Sequence, residues 1–284
     1  MAFNILVINP GAGSTRIALF GDAQPVFEEN IRHNPEELLK FSRIIDQYQF
    51  RMEKIIQILE SKKVSVGSLH AVVGRGGPFK PLTSGTYNVN DRLIQDIKSG
   101  NYQSEHPSLL GVIIAKEVAD KANIPAYFVD PVSVDEFWPL ARFSGLKEMP
   151  RKALSHALNV RMVAKKAAKE LGKPYAECNF VIIHLGTGIT VAAHLRGKQV
   201  DSSNANEDGP FSPQRTGALP TIPLAKLCCS GKMKFEDIRK KLNRAGGMLS
   251  YLGTDDIQEV EDRITTGDKE AEMAYSAMVY GIAK

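Results

Sequence analysis

The sequence repeats itself. Shifted by 175 positions, NILVINPGAGSTRIAL lies over NFVIIHLGTGITVAAH without a gap, with identities at Asn4/Asn179, Ile8/Ile183, Gly11/Gly186, Gly13/Gly188, Thr15/Thr190 and Ala18/Ala193. Each copy is an apolar run, a Gly-rich turn and a second β-like run, which predicts strand, turn and strand rather than strand, turn and helix. Chance likeness between two hairpins is the alternative, because tight turns need Gly everywhere. A duplicated fold accounts for more of the match, and two similar domains facing each other would set the two loops across one cleft.

The rest of the chain fits that division. Its 284 residues suffice for two domains, expected as 1–150 and 151–284 with the boundary near Pro150. Asn34-Pro35-Glu36-Glu37 is a helix start with a capping Asn, and Ile55, Ile56, Ile58 and Leu59 mark a second helix. His70 to Gly74 reads as a buried strand. Leu110, Ile113, Ile114 and Val118 recur at helical spacing in a helix expected to end near Asn123, ahead of a strand from Ala126 to Val129. Asp130 ends that strand. A helix from about Ala153 to Leu171, closed by Gly172, precedes a strand from Phe180 to Ile183. Alternating strands and helices of this kind predict an α/β protein.

Composition narrows the function classes. Lys and Arg total 36 against 32 Asp and Glu, a net charge of +4 with scattered basic residues, so nucleic-acid binding has no support. Cys178, Cys228 and Cys229 make neither a disulfide framework nor a CxxC metal site, which fits a reducing, cytoplasmic compartment. No apolar stretch approaches the roughly 20 residues of a membrane span, and Met1 leads into a strand without a basic leader, so the chain is expected to be complete at its start.

The loops suggest phosphate. Successive backbone N–H groups in a Gly/Ser/Thr turn form an anion-binding nest, since Gly lets an oxygen approach the main chain. GAGSTR lacks the third Gly and following helix of the dinucleotide fingerprint, and also lacks the GK[ST] of a P-loop.

The paired hairpins resemble the phosphate motifs of the acetate and sugar kinase, actin and Hsp70 superfamily, and the match extends along the whole chain. Asn9-Pro10-Gly11 with Ser14-Thr15 resembles the first phosphate loop of butyrate kinases, and His184-Leu185-Gly186-Thr187-Gly188 the second. Arg75-Gly76-Gly77, Glu105-His106-Pro107, Phe128-Val129-Asp130-Pro131, Val200-Asp201 and Gly209 to Gly217 follow in that family's order. Pro10 and the Arg of Arg-Gly-Gly favour the butyrate branch over the acetate branch, whose related segment reads His-Gly-Gly. There are departures: butyrate kinases usually carry Ser-Thr where Ala12-Gly13 stands, Lys where Arg16 stands, and often Gly where Thr187 stands. The family also continues past Lys284 with an adenosine-binding segment, so the second domain is expected to be truncated and activity of this chain doubtful.

The resemblance implies two duplicated ribonuclease-H-like domains flanking a cleft, ATP and Mg²⁺ as cofactors, a short-chain carboxylate substrate and a homo-oligomer. Asn9, Gly11, Gly13, Ser14, Thr15, Arg16, Gly186, Thr187 and Gly188 would hold the nucleotide phosphates. Arg75, Arg215 and His184 would serve the transferring phosphoryl group, and Asp130 with Asn9 would hold Mg²⁺ through water. Plainer readings stand beside these. Asp130 can cap a short helix expected at Ser133 to Trp138, Arg75 can sit in a structural ion pair, and His184 can be a core histidine whose repeat partner is Asn9. His106, His156 and Trp138 read as packing residues. The expected function is a butyrate-kinase-like phosphotransferase. The alternatives are an acetate or propionate kinase, and a non-catalytic paralogue that binds phosphate or a partner.

Overall fold

A computed structural model describes residues 3–204 and 206–284. The chain divides into two compact units, Met1–Asp135 and Glu136–Lys284.

The first unit begins with the expected hairpin, β1 (Asn4–Pro10) and β2 (Ser14–Gly21), extended by β3 (Gln24–Arg32). Alternation decides which face is buried. Leu6 and Ile8 of β1 and Ile17 and Leu19 of β2 point into the core, each such side chain contributing about 2 kcal/mol. After α1 (Pro35–Leu38, capped by Asn34 Oδ1) and α2 (Tyr48–Ser61), β4 (Ala71–Gly74) pairs parallel to β1. The unit closes with β5 (Thr86–Asn88), α3 (Asp91–Lys98), α4 (Leu109–Ala122) and β6 (Ala126–Val129), giving a sheet ordered β3-β2-β1-β4-β6-β5. Helix α4 is apolar around most of its circumference, and nine of its residues are buried, as a helix lying across a sheet requires. It ends at Asn123, whose φ of 52° supplies the left-handed turn.

The parallel strands β1, β4 and β6 all run toward the same edge of the sheet. Their C-terminal ends carry Asn9, Arg75 and Asp130, at the place where ligands collect in open α/β sheets.

In the second unit, α5 (Ala157–Glu170) precedes a sheet of β7 (Asn179–His184), β8 (Thr190–Leu195) and β9 (Lys198–Ser202). Helices follow: α6 (Thr221–Cys229), α7 (Phe235–Arg244), α8 (Gly247–Leu252), α9 (Ile257–Thr265) and α10 (Lys269–Ala283). Met248, Val260, Ala271 and Met278 of the last three pack with Ile189 in one core. Among the described residues no helix is long and apolar enough to cross a membrane.

Three local expectations change. Residues Ser133 to Trp138 form turns and extended chain, not a helix, so Asp130 has no helix there to cap. Helix α5 begins at Ala157 rather than Ala153. The units divide after Asp135, ahead of the Pro150 read from sequence, because 136–150 is tied to the second sheet. Trp138 N–H donates to Val200 O, and Glu136 Oε2 accepts from Gln199 N and from Arg161 Nη1 at 3.0 Å.

The repeat is real as a three-stranded meander but slips by one residue. In the first hairpin Pro10 pairs with Thr15, and in the second His184 pairs with Thr190, so the second loop is one residue longer. By strand register His184 therefore stands where Pro10 stands, and Ile183 takes the place of Asn9. Burial agrees: Ile182, not Ile183, is the β7 residue that faces inward as Ile8 does.

Candidate phosphate-binding site

Each unit holds one Gly-rich loop read from the sequence. In the first, residues 11–14 link β1 to β2 and place every carbonyl toward the protein. Arg51 of α2 is fully buried and donates to Gly11 O (2.8 Å), Ala12 O (3.0 Å) and Ser14 O (3.1 Å). His33 N–H takes Gly13 O at 3.0 Å, and Gly11 N–H turns back to Ser14 O at 2.7 Å. The N–H groups of Ala12 and Gly13 are left at the exposed tip, with no protein acceptor among the described residues. Thr15 faces the other way. Its hydroxyl is buried between Arg51 and His33, at 3.2 and 2.9 Å, so its side chain supports the loop rather than its outer surface.

Arg16 lies opposite Asn9 in the β1–β2 ladder, and both line an open groove of about 460 Å³ on that face. Asn9 Oδ1 accepts from Arg75 Nη1 at 3.2 Å. No ion pair among the described residues includes Arg75, and burial pulls its guanidinium below its usual range, so the structural ion pair considered for it is not present there.

The backbone explains the Arg75-Gly76-Gly77 sequence. A Cβ on Gly74 would enter the carbonyl of Gly111, one on Gly76 would stand 2.5 Å from Pro131 Cβ, and one on Gly77 would stand 2.8 Å from Leu109 Cδ2. The end of β4 is thus pressed between α4 and the Asp130-Pro131 turn, and glycine is what the approach permits. Asp130 is 4% exposed, with φ 37°. Its Oδ1 accepts from Gly85 N at 2.8 Å while its own N–H donates to Gly85 O, which fastens the 82–85 segment to the strand end.

In the second unit, His184 ends β7 and its loop is held by another device. Ser212, 1% exposed, donates its hydroxyl to Thr187 O at 2.6 Å and accepts from Arg215 N at 3.2 Å. One serine thereby couples the Gly186-Thr187-Gly188 turn to the loop carrying Arg215. Gly247, at φ 60°, passes so close to Ser212 O that no side chain fits. Arg215 reaches Asn206 Oδ1 at 2.8 Å, and burial again lowers its guanidinium from the usual range without a carboxylate in ion-pair contact among the described residues.

The His184 ring stacks on His156, with centroids 3.9 Å apart and planes 12° off parallel. His156 Nδ1 pairs with Thr190 Oγ1 at 2.8 Å and His184 Nδ1 with Asn159 Oδ1 at 3.2 Å, so His156 packs against His184. A Cβ on Gly186 would stand 3.2 Å from His184 Nε2, a tight approach that favours glycine there.

Sequence reasoning missed Arg51 and Ser212. Arg51 did leave a signal: with Ile55 and Leu59 it shares one buried face of α2, and an arginine on an apolar stripe needs buried acceptors. Ser212 lies in the Gly209 to Gly217 segment matched in sequence, but its coupling role was not legible, because Thr187 lies 25 residues away.

Comparison with known proteins adds to this geometry. Residues 147–284 match the acetokinase family. Solved structures similar over 99% of this chain include the acetate kinase of Porphyromonas gingivalis (TM-score 0.77, 19% identity, 77% of that chain covered) and a propionate kinase from Francisella tularensis subsp. tularensis SCHU S4 (0.73, 19%, 78%). The acetate kinase of Entamoeba histolytica is similar as well (0.72, 18%, 76%). The chain therefore has the α/β, ribonuclease-H-like fold of these kinases, and the acetokinase match falls within its second unit.

Proposed function

We propose that this protein transfers the γ-phosphoryl group of Mg-ATP to a short-chain carboxylate, releasing ADP and an acyl phosphate. The observation that carries the reading is a pair of arginines, Arg75 and Arg215, one per unit. Each is desolvated and held by an asparagine amide rather than by a carboxylate, so its charge is left for an anion. The outward N–H groups of the first loop have the same polarity.

A carboxylate is ionised at neutral pH, so its oxygen attacks phosphorus without an enzymic nucleophile, and the bond to the ADP leaving oxygen breaks in line. The chain's work is to neutralise and position. Arg75 and Arg215 bind phosphoryl oxygens, the loop residues Gly11 to Arg16 and Gly186 to Gly188 hold the nucleotide phosphates, and His184 donates to the transferring group. Mg²⁺ would supply charge neutralisation across the phosphates. No group of three His, Cys, Asp or Glu suited to a metal occurs among the described residues, and Asp130 with Asn9 fits a metal that takes one carboxylate and keeps its waters.

For the substrate, Pro10 and Arg75-Gly76-Gly77 support butyrate or a branched-chain acid. The likeness to acetate and propionate kinases supports the second reading, a shorter acid. Turnover measured with Mg-ATP and acids of increasing chain length, trapping the acyl phosphate with hydroxylamine, tests both. Highest kcat/KM on a four- or five-carbon acid supports the butyrate reading, and highest kcat/KM on acetate or propionate supports the other. Mg-ATP binding without turnover on any acid points to the non-catalytic paralogue.

A further inference from the structure

We propose that Arg51 is a positioning residue that sets the polarity of the first loop: it draws the loop's carbonyls inward so that the Ala12 and Gly13 amides face an anion, and its own uncancelled charge adds to that attraction. The inference rests on reading this loop as a phosphate site.

The hydrogen bonds of residues 11–14 carry the argument. Four carbonyls are available, and all four are taken from behind, three by Arg51 and that of Gly13 by His33 N–H. With Gly11 N–H spent on Ser14 O, the main-chain groups left at the tip are donors. A flexible Gly-rich turn presents either face of its peptides, and a loop pinned this way presents one.

Arg51 suits the task because its planar fork makes several bonds in fixed directions. One edge reaches the loop, and Nε and Nη2 reach Gln47 Oε1 at 3.2 and 2.8 Å. Every partner is neutral. No ion pair among the described residues includes Arg51, and the neighbouring His33 is lowered to about 4 by burial and by Arg51 itself, so it is uncharged at pH 7. Burial lowers Arg51 to about 10, which still leaves it a cation at neutral pH. A full positive charge therefore sits one peptide layer behind two free amides.

Arg51→Lys keeps a cation but loses the fork, and Arg51→Met loses both. Mg-ATP and inorganic pyrophosphate binding are measured by calorimetry, KM for the carboxylate by turnover, and hydrogen exchange of the Ala12 and Gly13 amides by NMR. We expect Arg51→Lys to remain folded, to weaken both phosphate ligands by about tenfold or more, and to leave the carboxylate KM within about twofold. Arg51→Met, where it folds, should be weaker still. Binding of Mg-ATP by Arg51→Lys within about twofold of wild type overturns the inference, as does an equal loss of carboxylate affinity, which marks a merely structural role. If the unaltered protein binds neither probe, the phosphate reading itself falls. Amide exchange then decides Arg51 separately: faster exchange confined to Ala12 and Gly13 in Arg51→Lys supports its hold on the loop, and unchanged exchange removes it.

Discussion

Arg215 and Asp130 carry the residue-scale tests of the proposed function. Arg215 bonds a neutral amide, Asn206, so removing it strands no buried carboxylate, and Arg215→Ala should melt within a few degrees of wild type. On the proposed mechanism its charge is used most as the phosphoryl group loosens. The variant should therefore lose far more in kcat than it gains in KM, and a kcat within about threefold of wild type, under 1 kcal/mol, would take Arg215 out of the site. Asp130→Asn is the complementary case. An Asn Oδ1 can still accept from Gly85 N, and Asn tolerates a positive φ as well as Asp does, so the fold should hold while Mg²⁺-dependent turnover is lost. Normal metal dependence in that variant would leave Asp130 a structural role, such as its bond to Gly85 N. Of the site residues read from sequence in the first unit, Asn9, Gly11, Gly13, Ser14, Arg75 and Asp130 lie at the loop or at the C-terminal strand ends, because Gly-rich turns and strand-end charges are local patterns, whereas Thr15 and Arg16 lie within β2. Thr15 turns inward because strand alternation, fixed by Ile17 and Leu19, leaves its side chain no other face.

Among the elements, the contact of α4 with β4 fixes the position of Arg75. Gly111 of α4 packs so closely on Arg75 that an added Cβ would lie 2.9 Å from Arg75 N and nearer still to its carbonyl. Gly111→Ala must push the helix from the strand or shift Arg75, and overpacking of this kind costs roughly 1–3 kcal/mol. We expect both a lower melting point and a reduced kcat, whereas Gly21→Ala, whose new methyl would meet only Val26 Cγ2 at 3.6 Å, should change neither. Gly111→Ala with wild-type kcat would show that Arg75 tolerates displacement. Elements were legible where their signals are local: the Asn34 cap, the left-handed stop at Asn123 and the strand Ala126–Val129 all stand where the sequence places them. Those that failed depend on distant partners. The 133–138 segment is held extended in part by Leu82 O, which accepts from Asp135 N, and by the N–H of Leu82, which donates to Ser133 O. The one-residue slip of the second hairpin was invisible because a gapless alignment cannot show an added loop residue when the neighbouring strands share Ile, Val and Ala.

Across the whole molecule, each unit keeps one buried histidine neutral, and this sets a pH dependence of stability that activity need not share. His33 in the first unit is 6% exposed beside Thr15, and its environment includes Arg51, Glu37 and Lys54. His194 in the second is 2% exposed, bonded to Tyr175 at 2.6 Å, with Arg161 and Glu136 nearby. Burial foremost, then the adjacent arginine, lowers both from the ordinary 6.5 to about 4. Between those values the unfolded chain binds protons at both sites and the folded chain does not, so stability is complete above pH 6.5, declines as pH falls, and stops declining from this cause near pH 4. Thermal melts at pH 7.5, 5.5 and 4.5 should show the midpoint dropping by several degrees across the window. His33→Gln and His194→Gln, each lowering the midpoint at pH 7.5 through lost packing, should flatten the profile, and the double variant should flatten it further because the two sites lie in separate units and act independently. A wild-type midpoint that stays constant from pH 7.5 to 5.5, or a double variant as steep as wild type, would mean that neither imidazole is held neutral by its burial.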